Sequence, residues 1–250
     1  MKPLRYLLLQ TRNSNDPMRL QEVACFARAL DCEISTIAVL DLLASAPSTE
    51  QLRQYDMVLL GGSGHYSAAD VPPAHHGEGF GAERLERALD TLRELHYLAK
   101  PTFASCWGFQ AMARALGGRC IHDPANAEVG TIELFLTEQG RADSLFGELP
   151  HVFLAQAGHE DHVVNLPPDA VLLASSPKVP QQAYRLAGKP IYCTQFHPEL
   201  DRTALLERVR AYPEYLYRNF GISYDEFAAQ CRETPECNSL LRQFVRLLQF

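Results

Sequence analysis

Phe103-Ala104-Ser105-Cys106-Trp107-Gly108-Phe109-Gln110 is the stretch on which the reading of this chain turns. A short apolar run, Thr102 to Ser105, reads as a strand leading into it. An amphipathic helical pattern leads out, with Phe109, Met112, Ala113 and Leu116 on one face and Gly117-Gly118 as its stop. A cysteine therefore stands at a strand-to-helix junction with small residues two before and two after it, the pattern of a nucleophile elbow. Bulky side chains at those flanking positions would clash in so tight a turn, so Ala104 and Gly108 matter as much as the cysteine. A thiol with a reference pKa of about 8.5 is little ionised at neutral pH, and a helix N-terminus and a nearby imidazolium both favour its thiolate. Taken alone, the segment leaves two readings open: a nucleophile, or a cysteine that fills core space.

Outward toward the N-terminus, apolar runs alternate with amphipathic stretches: Tyr6 to Leu9, Met18 to Leu30, Ile34 to Leu40, Gln51 to Gln54 and Met57 to Leu60. The alternation reads as β-α-β-α-β, a parallel sheet covered by helices. Asn15-Asp16-Pro17 marks the start of the first helix, a capping side chain before a proline in the first turn, with Leu20, Val23, Ala24 and Ala27 expected inward. A glycine-rich turn, Gly61-Gly62-Ser63-Gly64, follows the third strand; a loop rich in proline, glycine and histidine runs from Val71 to Gly79, and a helix from about Ala82 to Ala99 precedes the elbow.

Outward toward the C-terminus, Ile132 to Leu136, Val152 to Ala155, Val171 to Ala174, Gln182 to Leu186 and Ile191 to Phe196 read as consecutive strands, an antiparallel continuation of the sheet. The last of them exits into His197-Pro198-Glu199. Proline biases the histidine toward extended backbone, and residues two apart in an extended chain point the same way. Glu199 can then accept a hydrogen bond from one imidazole nitrogen while the other faces a thiol. Beyond it, Arg202 to Arg210 and Asn238 to Phe250 read as helices, the last carrying Leu240, Leu241, Phe244, Val245 and Leu248, with Tyr212, Tyr215, Tyr217 and Tyr224 between them.

The whole chain has 250 residues, 46% hydrophobic and 21% charged, enough for a substantial core and ordinary for a globular protein. Its net charge of -7 has the wrong sign for a protein whose main work is binding phosphate backbones, so no nucleic-acid partner is expected. Leu7 to Leu9 is the longest apolar stretch near the N-terminus, too short for a signal-peptide core or a membrane span, and a cytoplasmic location is expected. Seven cysteines without a C-x-x-C pair fit reduced thiols rather than zinc. His75, His76, His159 and His162 gather in two loops without H-E-x-x-H or paired Cys-His spacing, so no metal is expected.

The elbow and the His-Pro-Glu segment resemble the triad-type, class I glutamine amidotransferases, whose patterns are Gly-x-Cys-x-Gly-x-Gln and, near the domain end, a strand followed by His-Pro-Glu. Cys106, Gly108, Gln110, His197, Pro198 and Glu199 match, and the resemblance runs from about Arg5 to Glu199. It implies an α/β fold with a mostly parallel, helix-flanked central sheet of flavodoxin-like architecture, an antiparallel extension and a C-terminal helical segment. It also implies a catalytic domain over residues 1–200, with residues 201–250 as a helical extension packed on it. The implied catalytic residues are Cys106, His197 and Glu199; Gly62 and Trp107 would supply oxyanion-hole amides; Ser63, Gly64, Gln110, His159 and Glu160 would bind substrate. Two positions depart from the pattern: Ala104 replaces the glycine before the nucleophile, and Gly158-His159-Glu160-Asp161 carries Glu160 where the family has glycine.

The resemblance implies hydrolysis of the side-chain amide of glutamine through a cysteinyl thioester, without a cofactor, and delivery of ammonia to an acceptor on a separate synthetase subunit. Two alternatives stay open: a stand-alone hydrolase of another γ-glutamyl compound, and a non-catalytic binding or regulatory module on the same fold.

Overall fold

The computed structural model describes residues 4–69, 81–213, 216 and 221–249. The Val71 to Gly79 loop with His75 and His76, and Tyr215 and Tyr217, lie outside the described residues. In chain order the elements are β1 (Tyr6–Gln10), α1 (Met18–Leu30), β2 (Ile37–Asp41), α2 (Thr49–Arg53), β3 (Met57–Leu60), α3 (Ala82–Tyr97), β4 (Thr102–Ser105), α4 (Trp107–Ala115), β5 (Arg119–His122), β6 (Glu128–Leu136), α5 (Glu138–Ala142), β7 (Val152–His159), β8 (Asp161–Asn165), β9 (Ala170–Ser175), β10 (Ala183–Leu186), β11 (Ile191–Thr194), α6 (Arg202–Ala211), α7 (Tyr224–Gln230), α8 (Pro235–Asn238) and α9 (Leu240–Leu248).

Nine strands form one sheet in the order β2-β1-β3-β4-β11-β10-β9-β6-β7, parallel from β2 to β11 and antiparallel from there to β7. The expected mixed sheet is what the chain builds. The parallel strands are apolar on both faces because helices cover both. Leu7, Leu9, Val58, Leu60 and Ala104 pack with Leu89, Leu92 and Met112 of α3 and α4. The alternate residues Tyr6, Leu8, Met57, Leu59 and Phe103 pack with Phe26 of α1 and with Leu240, Leu241 and Phe244 of α9. The C-terminal helix is thus part of the main core.

Local differences from the expected elements have plain causes. Ile34–Thr36 forms a 3-10 turn before β2 rather than the start of the strand. At the head of α1, Asp16 Oδ1 accepts from Met18 N at 2.8 Å, so the capping residue is Asp16 and Pro17 fills the turn after it. Leu20 is 82% exposed instead of inward. The buried arc of α1 is rotated onto Glu22, Val23, Phe26, Ala27 and Leu30, because Glu22 turns in to meet buried Arg12, whose Nε lies 3.2 Å from Glu22 Oε1. β5 and β8, which periodicity does not single out, pair antiparallel as a separate two-stranded sheet beside α4. The short helix α7 starts at a Ser223-x-x-Glu226 capping box and α8 has Pro235 in its first turn, local signals that apolar periodicity passes over.

Candidate active site

The register of β3, β4 and β11 assembles the site. Leu60 pairs with Ala104, and Ser105 with Thr194, so the three adjacent parallel strands end level with one another. The residues just past those ends are Gly62, Cys106 and His197. Ligands in open α/β sheets bind at this carboxyl edge, where helix N-termini and loops converge.

Cys106 occupies φ 52°, ψ -105°, a left-handed backbone region that costs a non-glycine residue on the order of 1–3 kcal/mol. Its surroundings hold it there. Its N–H donates to Thr194 O at 2.7 Å, its carbonyl accepts from Gln110 N at 3.1 Å, and Gly108 N donates to Gly61 O at 3.2 Å, tying the elbow to the glycine turn after β3. At Gly108 an added Cβ would come within 2.7 Å of Leu60 Cβ and 3.2 Å of Ala104 Cβ, which is why the elbow needs glycine there and a small residue at position 104.

His197 and Glu199 do stand side by side, but across a turn rather than along the extended chain expected: Pro198 and Glu199 occupy a turn closed by Leu200 N donating to His197 O at 3.2 Å. His197 Nδ1 and Glu199 Oε1 are 2.7 Å apart, and both side chains are buried. With Nδ1–H given to the carboxylate, Nε2 is left to face the neighbouring Cys106 thiol, whose Sγ also reaches Gly158 O at 3.8 Å. Burial by itself would lower the His197 pKa, but the charges of Glu199 and Cys106 and the hydrogen bonds to both outweigh it, and the value rises to about 9. Burial would likewise raise the Glu199 carboxyl, and the facing imidazolium and Arg208 hold it below the usual carboxylate range instead.

A cavity of about 300 Å³ opens on one side of the thiol and is lined by Ser63, Gly64, Gln110, His159 and Glu160, all five of the expected substrate contacts, together with Trp107. Several are held in place from behind. Gln110 Nε2 donates to Asp161 O at 2.9 Å and to Gln195 Oε1 at 3.2 Å. His159 Nδ1 is 3.1 Å from Asp161 O, and its Nε2 is 3.3 Å from Glu128 Oε2. Ser63 Oγ accepts from Tyr66 N at 3.0 Å. Gly62 sits against the thiol and the imidazole, with an added Cβ reaching within 2.9 Å of His197 Cε1 and 3.5 Å of Cys106 Sγ.

The class-I glutamine amidotransferase family model matches residues 31–208, which takes in the glycine turn, the elbow and the His-Pro-Glu segment. The chain belongs to that family. Among curated relatives, γ-glutamyl peptidase 3 of Arabidopsis thaliana is 25% identical over 76% of this chain and 71% of its own length. One subunit of the glutamine-hydrolysing GMP synthase from Thermoplasma acidophilum is 30% identical over 56% of this chain and 66% of its own length. The match to the glutamine-hydrolysing GMP synthase of Streptococcus mutans, 31% identical over 55% of this chain, spans only 25% of that protein. The crystal structure of a glutamine amidotransferase from Thermotoga maritima covers 98% of each chain with a TM-score of 0.75 at 19% identity, a likeness of fold.

In this class-I chain three residues beside the site carry no motif signal. Arg208, on α6, places Nη1 3.7 Å from Glu199 Oε1. Asn238, on α8, donates through Nδ2 to Pro198 O at 2.9 Å and Leu200 O at 2.7 Å, clamping the carbonyls on either side of Glu199. Tyr212 donates to Asp16 Oδ1 at 2.6 Å and accepts from Arg12 Nη1 at 3.1 Å. A lone Arg or Asn in a helical tail looks like any surface residue until folding brings it back to the sheet edge. Among the described residues no three His, Cys, Asp or Glu side chains cluster as a metal site, and no helix is long and apolar enough to cross a membrane.

Proposed function

We propose that this protein is a glutaminase of the amidotransferase type, with Cys106 as nucleophile, His197 as proton carrier and Glu199 as its orienter. The observation that carries the reading is the chain of contacts from Glu199 through His197 to a thiol held at positive φ above a polar cavity. Cys106 passes its proton to His197 and attacks the side-chain carbonyl carbon of glutamine. The amides of Gly62 and Trp107 take the developing oxyanion. The C–N bond breaks as His197 returns the proton to nitrogen, leaving ammonia and a γ-glutamyl thioester. Water, deprotonated by the same histidine, then releases glutamate and restores the thiol.

In this scheme Ser63, Gly64, Gln110, His159 and Glu160 receive the glutamyl part, and residues 201–250 serve as an extension that supports the catalytic domain. Ammonia goes to an acceptor on a separate synthetase subunit; the similarity to subunits of glutamine-hydrolysing GMP synthases favours this route. A second reading, hydrolysis of a γ-glutamyl peptide, is favoured by the relative that aligns over 76% of this chain. Glutamate release from glutamine by the wild-type protein beside Cys106→Ala tests the first. Cys106-dependent release supports it, and γ-glutamyl peptide turnover without glutamine turnover supports the second.

A further inference from the structure

The Cys106 thiol stands between two cavities of different size and chemistry. The 300 Å³ cavity is polar and contains Gln110, Glu160 and Asp161 but not His197. The other is about 60 Å³; it contains His197 and Gly62 and is walled by Val129, Ala157, Leu200, Leu205, Val209 and Tyr212. Catalytic chemistry decides which part of a substrate lies where. His197 must hand its proton to the departing nitrogen, so the leaving group lies on the imidazole side of the sulfur and the acyl chain on the other. The small cavity is therefore the leaving-group side.

Its polar walls offer little to a larger leaving group. Arg12 is committed to Asp16 at 3.1 Å and Glu22 at 3.2 Å. Arg208 Nε donates to Gln21 Oε1 at 2.9 Å and its Nη1 lies by Glu199, although Nη2 has no hydrogen-bond partner. A carboxylated leaving amine would have to fit beside Leu205 and Val209, which line the same cavity as Arg208, in space for only a few water-sized groups. We propose that Leu205 and Val209 of α6, with Tyr212 in the same wall, are specificity-determining residues that exclude a leaving group larger than ammonia. This rests on the reading of Cys106 as the nucleophile. In the step so restricted, the C–S bond forms, the C–N bond breaks and the His197 proton ends on ammonia.

The test compares kcat/KM of the purified full chain for glutamine, γ-glutamyl methylamide and γ-glutamylglycine, in the wild type and in Leu205→Ala and Val209→Ala made separately. The expected wild-type result is a fall of at least a hundredfold from glutamine to γ-glutamylglycine, with the methylamide between. Each widened variant should raise the ratio of methylamide to glutamine turnover about tenfold or more; a ratio cancels a general loss of activity, and a melting curve confirms folding. Wild-type cleavage of γ-glutamylglycine as fast as glutamine, or unchanged ratios in both folded variants, overturns the inference while leaving the nucleophile reading intact. Absence of any Cys106-dependent turnover on all three compounds overturns that reading and the inference with it.

Discussion

Arg208 Nη1 lies 3.7 Å from Glu199 Oε1 and 3.5 Å from His197 Nδ1, so a buried guanidinium from the helix after the motif faces both members of the acid-imidazole pair. Burial raises the Glu199 carboxyl; His197 is the larger influence holding it low, and the Arg208 charge adds to that. The same charge opposes a proton on the imidazole.

Arg208 is a positioning residue in this scheme, and its removal has a calculable sign. Without the positive charge, protonation of Glu199 and of His197 both become easier. In Arg208→Gln the acid limb of kcat/KM against pH should therefore move to higher pH, with kcat down about tenfold, less than the roughly hundredfold that outright loss of an acid-base group costs. Arg208→Lys should restore part of the shift. A pH profile with an unmoved acid limb would refute the role.

The pair also links stability to pH. The His197 pKa is raised to about 9, so its contribution is complete below the unfolded value near 6.5 and is lost as pH rises through about 9. The Glu199 pKa is lowered, so its contribution is present above the unfolded value and is lost as pH falls through the folded one. The difference in urea midpoint between wild type and Glu199→Gln should be most in favour of the wild type from about pH 5 to 6.5 and shrink toward pH 10. A difference independent of pH counts against the charged pair.

Two glycines near the thiol should fail in different ways. Gly62→Ala pushes a methyl to 2.9 Å from His197 Cε1. Turnover of glutamine should fall about a hundredfold, as for loss of an oxyanion donor, with little change in melting. Gly108→Ala instead meets Leu60 Cβ at 2.7 Å in the packed elbow and should cost about 1–3 kcal/mol of stability. Chemical denaturation beside steady-state kinetics separates the two.

The tail should prove integral to the core. Phe244 is 1% exposed, with its ring 5.8 Å from that of Phe103 and 5.3 Å from that of Tyr192. Phe244→Ala should cost about 3–5 kcal/mol, and deletion of residues 238–250 should remove the cooperative melt and, with Asn238, the clamp on Pro198 and Leu200. Leu247, 39% exposed on the same helix, should accept serine within about 0.5 kcal/mol.

Much of this molecule is legible along the chain, because its signals are local. The strand-turn-helix around Cys106 is set by Ala104 and Gly108, each two residues from the thiol. His197 and Glu199 are brought together by a turn that the proline between them helps to set, a local device although not the extended one expected. The parallel core shows in the doubly apolar β1, β3 and β4, and α9 in its Leu240-Leu241-Phe244 stripe. β5 and β8 are not legible, because each is stabilised by the other from a distant part of the chain, and neither has a full alternating face. Leu20 misleads because an apolar side chain on a helix suggests burial, whereas the group that turns in from α1 is the charge of Glu22, neutralised by Arg12.

The sequence by itself determined the candidate groups: one thiol at an elbow, one imidazole, one carboxylate, each fixed by neighbours close in the chain. Tertiary structure alone decided what surrounds those groups. The register of three parallel strands brings Gly62, Cys106 and His197 to one edge, and the return of α6 and α8 places Arg208, Leu205, Val209 and Asn238 around them. Those contacts depend on how helices close against a sheet, a balance of burial summed over the whole core, and no short stretch of residues encodes it.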